Sequence, residues 1–340
     1  MTAMKRVGYA VVGLGSISEH AVLPAFKHSK KSRLVAVVSG DAKKAKRLGA
    51  KFHADEHFTY DTFEQCLRNP QVEAVYIATN NSTHLEFTLQ AAAAGKHVLC
   101  EKPLANTVQE CQRMVDECQR NRVKLMTAYR KYFEPASVEF KKLLGSGKLG
   151  RLKLIHTAFT INLDPRNTWH LDPRLAGGGS LVDLGVYCVN TVRWLTGEEP
   201  VEATAHSWTV DPARFGEVDE SITFQLLFPE GLVMQGSSSF SAAQASFLQV
   251  HGEKGWAGLN PAYAFDEERR MFGKVGAKWF EKRFKRAEEF HLELDHLADC
   301  IRANRNPGPD GIAGLRDVAV MQAIYQAAKL NQPVAIHLPQ

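Results

Sequence analysis

The chain has 340 residues, room for roughly two domains. Hydrophobic residues make up 44% and charged residues 23%, ordinary values that exclude a fibre or a low-complexity chain. The net charge of +5 is mild and spread along the chain, so it suits an anionic small ligand as well as nucleic acid, and no apolar run approaches the roughly 18 residues of a membrane span.

The opening residues run straight into a strand-like segment at Val7, without the charged head, apolar stretch and cleavage site of a signal peptide. Six cysteines (Cys66, Cys100, Cys111, Cys118, Cys188 and Cys300) are too few to staple a chain of this length. Reduced thiols in a cytoplasmic protein are expected.

The first third alternates strands and helices. Val7–Val12 is a short apolar run of the kind buried on both faces. Gly13-Leu14-Gly15-Ser16-Ile17-Ser18 follows, then a helix from about Ile17 to Lys27. Leu34–Val38 predicts a second strand, Ala42–Gly49 a basic helix and Ala74–Ala78 a third strand. His84–Ala94 reads as a helix stopped by Gly95. His97–Cys100, Val108–Asn121 and Lys124–Thr127 read as strand, helix and strand. Repeated units of this kind imply a parallel sheet covered on both faces.

After Tyr129 the rhythm changes. Leu152–Leu163 predicts a long strand, and Leu181–Leu195 a helix behind Gly177-Gly178-Gly179. Further strands are expected near 201–210, 221–228, 232–240 and 247–251, with Pro229-Glu230-Gly231 as a hairpin turn. Two helices, near 288–303 and 314–330, close the chain. The fold class is α/β: a doubly wound dinucleotide domain over 1–128, then an α/β domain with an open, mainly antiparallel sheet over 129–340.

Gly13-x-Gly15 lies between a strand and a helix, the context a dinucleotide fingerprint needs. The first glycine permits the tight turn, the second lets a pyrophosphate approach, and the helix start offers free N–H groups. Ser18 replaces the third glycine and is still small. At the second strand end, where NAD sites usually carry an acid, stand Ser39 and Gly40, with Lys43, Lys44, Lys46 and Arg47 behind them. A hydroxyl, an open glycine and a cationic helix start favour the 2′-phosphate of NADP. The alternative is that Asp41 holds the ribose of NAD and the lysines are a solvated face.

Glu101-Lys102-Pro103 follows a strand of the parallel sheet, where ligands bind beyond the carboxyl ends. Asp183 and Tyr187 are four apart on one helix and share a face. A tyrosine hydroxyl, an ammonium and a carboxylate make a proton relay for an alcohol being oxidised; the alternative is a core tyrosine. The glycine run before them is expected to let backbone approach a flat ligand. Cys111 with Cys118, His53 with His57 on one helical face, and His291 with Asp295 and His296 are poor metal sets, and no metal is expected. The basic, aromatic stretch 269–286 reads as a helix or loop at a subunit contact and not as an RNA site.

Together these residues resemble the Gfo/Idh/MocA oxidoreductases, and within them the glucose–fructose oxidoreductase branch. The resemblance covers nearly the whole chain. Its markers are Gly13–Ile17, Asn81-Ser82-Thr83-His84, Gly95–Leu104, Ala128-Tyr129-Arg130, Leu175–Tyr187 and Leu294-Asp295-His296. It implies that Lys102, Asp183 and Tyr187 are catalytic, with tyrosine in place of the commoner histidine. It implies that Ser39, Gly40, Lys44 and Tyr60 meet the adenosine 2′-phosphate, and that Trp169 and His170 lie near the nicotinamide. Gly13, Gly15, Ser16, Ile17, Asn81, His84, Glu101, Lys102 and Arg130 are expected along the rest of the cofactor.

The activity it implies is NADP-dependent oxidation of a pyranose hydroxyl, at the anomeric carbon of an aldose, with or without transfer to a second sugar. The alternatives are an inositol or ring-carbon sugar dehydrogenase using NAD, and a non-catalytic NADP-binding sensor. The expected partners are a sugar and further copies of the chain, as a homodimer or homotetramer through the second sheet, with no nucleic acid and no membrane. The branch carries an N-terminal arm that helps trap its cofactor. Without such an arm ahead of Val7, NADP is expected to exchange with solvent.

Overall fold

The computed structural model describes residues 5–166, 168–264, 267–286 and 289–339. It divides into two compact units, Met1–Arg130 with Glu288–Leu315, and Lys131–Ala287 with Arg316–Gln340. The return of Glu288–Leu315 to the first unit was not expected from a linear reading.

The first unit holds a six-stranded parallel sheet: β1 (Val7–Val12), β2 (Ser32–Ser39), β3 (Glu56–Thr59), β4 (Ala74–Ile77), β5 (His97–Cys100) and β6 (Leu125–Thr127). Its order is β3-β2-β1-β4-β5-β6, the doubly wound arrangement in which the chain reverses direction between β1 and β4. All six residues of β1 are buried, as a central strand covered on both sides requires. Helices Ala42–Lys51, His84–Ala93 and Val108–Arg120 fill the crossovers. The last opens on a Thr107–Glu110 capping box that satisfies two donors at its start.

Two expectations change here. The segment after Gly15 is a π-turn, Ser18–Val22, running into the short helix Leu23–Ala25. His53 sits in a turn at φ 57° and His57 in β3, so they share no helical face. Cys111 and Cys118 are buried on their helix. Among the described residues no group of three His, Cys, Asp or Glu is placed to hold a metal ion.

The helix Glu289–Arg302 also belongs to the first unit, while Glu288, where a helix start was expected, lies outside the described residues. Leu294 accepts a hydrogen bond from the Tyr9 hydroxyl at 3.0 Å. Asp295 accepts from the Ser29 hydroxyl and from the amides of Lys30 at 2.9 Å and Lys31 at 3.0 Å. Asp295 is therefore a bracket on the loop before β2, not half of a metal pair.

Among the described residues the second unit holds nine strands. They are β7 (Leu152–Asn162), β8 (Glu202–Trp208), β9 (Ser221–Leu227), β10 (Val233–Ser239), β11 (Ser241–Gly252), β12 (Gly255–Asn260), β13 (Arg269–Val275), β14 (Lys278–Phe284) and β15 (Val334–Ala335). The order is β14-β13-β12-β11-β7-β10-β9-β8-β15, antiparallel except where β7 meets β10. The stretch 269–286, expected as helix or loop, is the hairpin β13–β14. The helix expected at 181–195 is a π-turn, Leu181–Gly185, continued by an α-helix, Val186–Thr196. No helix among the described residues is long and apolar enough to cross a membrane.

Replacing Asp295 by alanine should leave its four donors, the Ser29 and Ser32 hydroxyls and the Lys30 and Lys31 amides, without their carboxylate and lower stability by about 2 kcal/mol, the scale of hydrogen bonds to a charged group. Urea unfolding followed by fluorescence measures this; an unchanged midpoint would show that the bracket contributes nothing.

Candidate functional site

In the first unit the expected cofactor residues gather at one edge. Gly13 follows β1, Ser39 ends β2, Tyr60 follows β3, Asn81 lies just beyond β4, Glu101 and Lys102 follow β5, and Arg130 lies beyond β6. The strands are parallel, so all these positions lie at their carboxyl ends, where doubly wound sheets bind ligands.

Gly13 has φ 88°, and a Cβ there would stand 2.4 Å from the Ala78 carbonyl oxygen. No other residue fits. Its carbonyl accepts the Ser18 hydroxyl at 2.5 Å, so the serine in the third-glycine position ties the π-turn back to the first glycine. Gly15 differs: a Cβ there would meet nothing within 4 Å. The protein's own packing does not require that glycine, whereas close approach of a pyrophosphate does. Gly15 and Ser16 are exposed and Ile17 is half-buried.

At the end of β2 the Ser39 hydroxyl accepts the Asp41 amide at 3.2 Å, which leaves its own hydrogen to donate. Asp41 caps the helix Ala42–Lys51, taking the amides of Lys43 at 2.9 Å and Lys44 at 3.1 Å on one oxygen. The Tyr60 ring lies against Gly40, where a Cβ would approach it to 3.1 Å. Ser39, Gly40 and Tyr60 thus form one cluster beside the helix that carries Lys44. This cluster offers a hydroxyl donor, an aromatic face and a cationic helix, with the nearest acid, Asp41, committed to capping.

His84 lies beneath this edge. It is wholly buried; its Nδ1 faces the carbonyls of Pro103 at 3.1 Å and Leu104 at 3.3 Å, and its Nε2 faces Thr79 O at 3.3 Å. It braces the turn that follows Lys102. Arg130 is likewise buried, paired with Glu289 at 2.5 Å, and holds structure rather than presenting a charge to solvent. Glu101 accepts the Tyr76 hydroxyl at 2.7 Å and the Lys102 amide at 3.2 Å. Burial pushes its carboxyl up, opposed by the Lys102 charge.

In the second unit, Asp183 and Tyr187 are the two half-exposed residues of the stretch 181–193, and the rest are buried. They share the face that the i, i+4 spacing predicts. The Tyr187 ring lies 5.6 Å from Phe159 and 6.1 Å from Tyr263. His170 stacks on Trp169 at 3.8 Å between centroids and brings Nε2 to 3.9 Å from Asp183 Oδ2. An imidazole, a carboxylate and a phenol thus form one group flanked by aromatic rings.

The glycine run serves packing, not ligand approach. A Cβ on Gly178 would stand 2.3 Å from the Tyr325 hydroxyl, and one on Gly179 would stand 2.2 Å from the Asp219 carbonyl oxygen. Sequence reasoning missed Asp219 and Tyr325, which lie far along the chain in no recognisable motif. It also missed Glu293, buried with neither carboxylate oxygen hydrogen-bonded. Burial, with Glu101 and Glu289 nearby, pushes that carboxyl well above its ordinary range.

The sequence profile of the Gfo/Idh/MocA oxidoreductase family, NAD-binding Rossmann fold, matches residues 7–129, and that of the family's C-terminal domain matches 138–258. The chain belongs to the Gfo/Idh/MocA oxidoreductase family. It is an oxidoreductase, and its expected fold class is the observed one. It is 30% identical to the D-xylose 1-dehydrogenase [NADP(+)] of Haloarcula marismortui over 97% of this chain and 93% of that protein. It is 29% identical to the trans-1,2-dihydrobenzene-1,2-diol dehydrogenase of Mus musculus, over 94% and 92%. The aldose-aldose oxidoreductase of Caulobacter crescentus, solved with glycerol, is 39% identical with a TM-score of 0.93, covering 98% of this chain and 100% of that one.

Burial lowers the His84 pKa from 6.5 to about 4. The folded protein then binds fewer protons than the unfolded chain between these values, so His84's contribution is intact above pH 6.5 and is lost as pH falls towards 4. The loss should reach about 3 kcal/mol at pH 4. Comparing the urea midpoints of wild type and His84→Gln at pH 7 and pH 4.5 checks this. The variant should lose less stability on acidification, and parallel losses would contradict the assignment.

Proposed function

We propose that the protein is an NADP-dependent sugar oxidoreductase, acting on a pyranose hydroxyl at the anomeric carbon of an aldose. The observation that carries this reading is the helix bearing Asp183 and Tyr187, which buries everything along 181–193 except those two. A surface left to a phenol and a carboxylate, beside His170 and Trp169, serves proton transfer and stacking on a sugar ring. The D-xylose and aldose–aldose activities named for two of the relatives point to the same substrate class. The second of those names supports transfer between two sugars as well.

In this reading the first unit holds the cofactor and the second the sugar. Gly13 and Gly15 leave room for the pyrophosphate, and Ser39, Gly40, Lys44 and Tyr60 hold the 2′-phosphate. Bound NADP supplies the hydride acceptor. Tyr187 or Lys102 takes the proton that leaves the hydroxyl, and Asp183 orients and tunes the relay. The turn carrying Lys102 is braced by Glu101 and His84. The protein works in the cytoplasm as a homodimer or homotetramer through the second sheet. The exposed Trp279 ring on β14 supports that assembly.

Incubation with NADP and a panel of aldoses, read by absorbance near 340 nm, tests the activity. Lys102→Met should lower kcat by about 10²-fold or more, the scale of a lost acid–base group, with NADP affinity within a few-fold of wild type. Wild-type turnover in that variant would remove Lys102 from the relay.

A further inference from the structure

A helix start leaves several backbone N–H groups without partners. An acid in the first turn ordinarily turns towards them, drawn by the donors and the positive end of the helix dipole. Asp183 stands in the first turn of its own helix, so its carboxylate has a competing use as a cap.

Asp219 removes that competition. It lies just ahead of β9 and is 40 residues away in sequence from Gly179. Its Oδ1 accepts the Gly179 amide at 2.8 Å and the Tyr325 hydroxyl at 2.5 Å. Its Oδ2 accepts the Leu181 amide at 2.8 Å and the Ser180 hydroxyl at 2.9 Å. Its main-chain carbonyl accepts the Ser180 amide at 2.9 Å. Four donors fill the acceptor capacity of one carboxylate. Burial, and next the Asp219 charge, hold the Tyr325 phenol protonated and therefore donating. Gly178 and Gly179 are glycines because Tyr325 and Asp219 occupy the space a Cβ would need.

We infer that Asp219, seated by Tyr325, is the positioning residue of the Asp183–Tyr187 pair: it takes the donors at the helix start, so that the Asp183 carboxylate serves the site beside His170 instead of capping its own helix. The inference rests on the function proposed above. Neither Asp219 nor Tyr325 touches reacting atoms. They act through the first turn, which sets where Asp183 points and the angle at which Tyr187 follows.

Asp219→Asn keeps the shape, removes the charge and turns an amide NH₂ towards two donors. Asp183 should then be drawn to the helix start. In this variant kcat should fall about 30-fold, while KM for the sugar and Kd for NADP stay within about threefold, the pattern of a lost transition-state interaction. Amide hydrogen exchange over 179–187 should rise about tenfold, with the peptide 7–38 unchanged. In an Asp183→Asn background the further change Asp219→Asn should lower kcat less than about threefold, because the two act as one unit.

An equal 30-fold loss in both backgrounds would make Asp219 a support of the fold and nothing more, and would overturn the inference. So would an unaltered kcat, or unaltered exchange. Tyr325→Phe, which removes one donor of the four, carries the same double-mutant cycle if Asp219→Asn does not fold. Absence of wild-type turnover with every sugar would sink the proposed function instead, and the exchange comparison alone would then decide the placement of Asp219.

Discussion

The first unit depends on the contact between Gly13 and the Ala78 carbonyl. The main chain of β1 leaves the sheet at the point where a Cβ would stand 2.4 Å from that oxygen. The Gly13 amide is held by Val38 O at 3.0 Å, and the Ala78 amide by Val12 O at 2.7 Å. Three strand ends, those of β1, β2 and β4, are thereby locked together at the place where the winding reverses. This lock fixes where the π-turn begins, sets Ser39 and Gly40 beside it, and brings the Thr79–Asn81 turn alongside. Any side chain at Gly13 would separate these ends, and the binding edge would be lost with them.

In the second unit the corresponding constraint is the satisfaction of a helix start. The helix that carries Asp183 and Tyr187 begins among buried residues, where unpaired N–H groups are costly. Asp219 and Tyr325 answer that need from distant parts of the chain. The same contacts account for the glycines at 178 and 179 and for a carboxylate that faces His170, while Gly177, at φ 78°, ends the helix Pro173–Ala176. Structure and chemistry are solved by one set of hydrogen bonds.

The sequence was legible where burial is two-sided or where a motif is local. Val7–Val12, Leu34–Val38 and Ala74–Ile77 are apolar runs because both faces are covered, and each is a strand. Asp183 and Tyr187 show their shared face through spacing alone. What was hidden has physical reasons. β3 is a polar, half-exposed edge strand (Glu-His-Phe-Thr) without an aliphatic run. β13 and β14 mix charged and aromatic residues because the hairpin forms the sheet edge and exposes much of β14. His84 belongs to a family marker, yet it is a buried brace, which no spacing reveals. The glycine run was read as room for a ligand, whereas Asp219 and Tyr325, which fill that room, become visible only once the chain is folded.

In the proposed function the carboxyl edge of the first sheet takes a dinucleotide through its 2′-phosphate. Titration calorimetry of NADP and NAD against the wild type and against Ser39→Asp tests it most directly. A charge-assisted contact from Lys44 with a hydroxyl from Ser39 should make NADP bind at least about tenfold more tightly than NAD to the wild type. In Ser39→Asp that preference should be lost or reversed, since a carboxylate repels phosphate and accepts from a ribose hydroxyl. Equal dissociation constants in the wild type, or an unchanged ratio in the variant, would contradict the account.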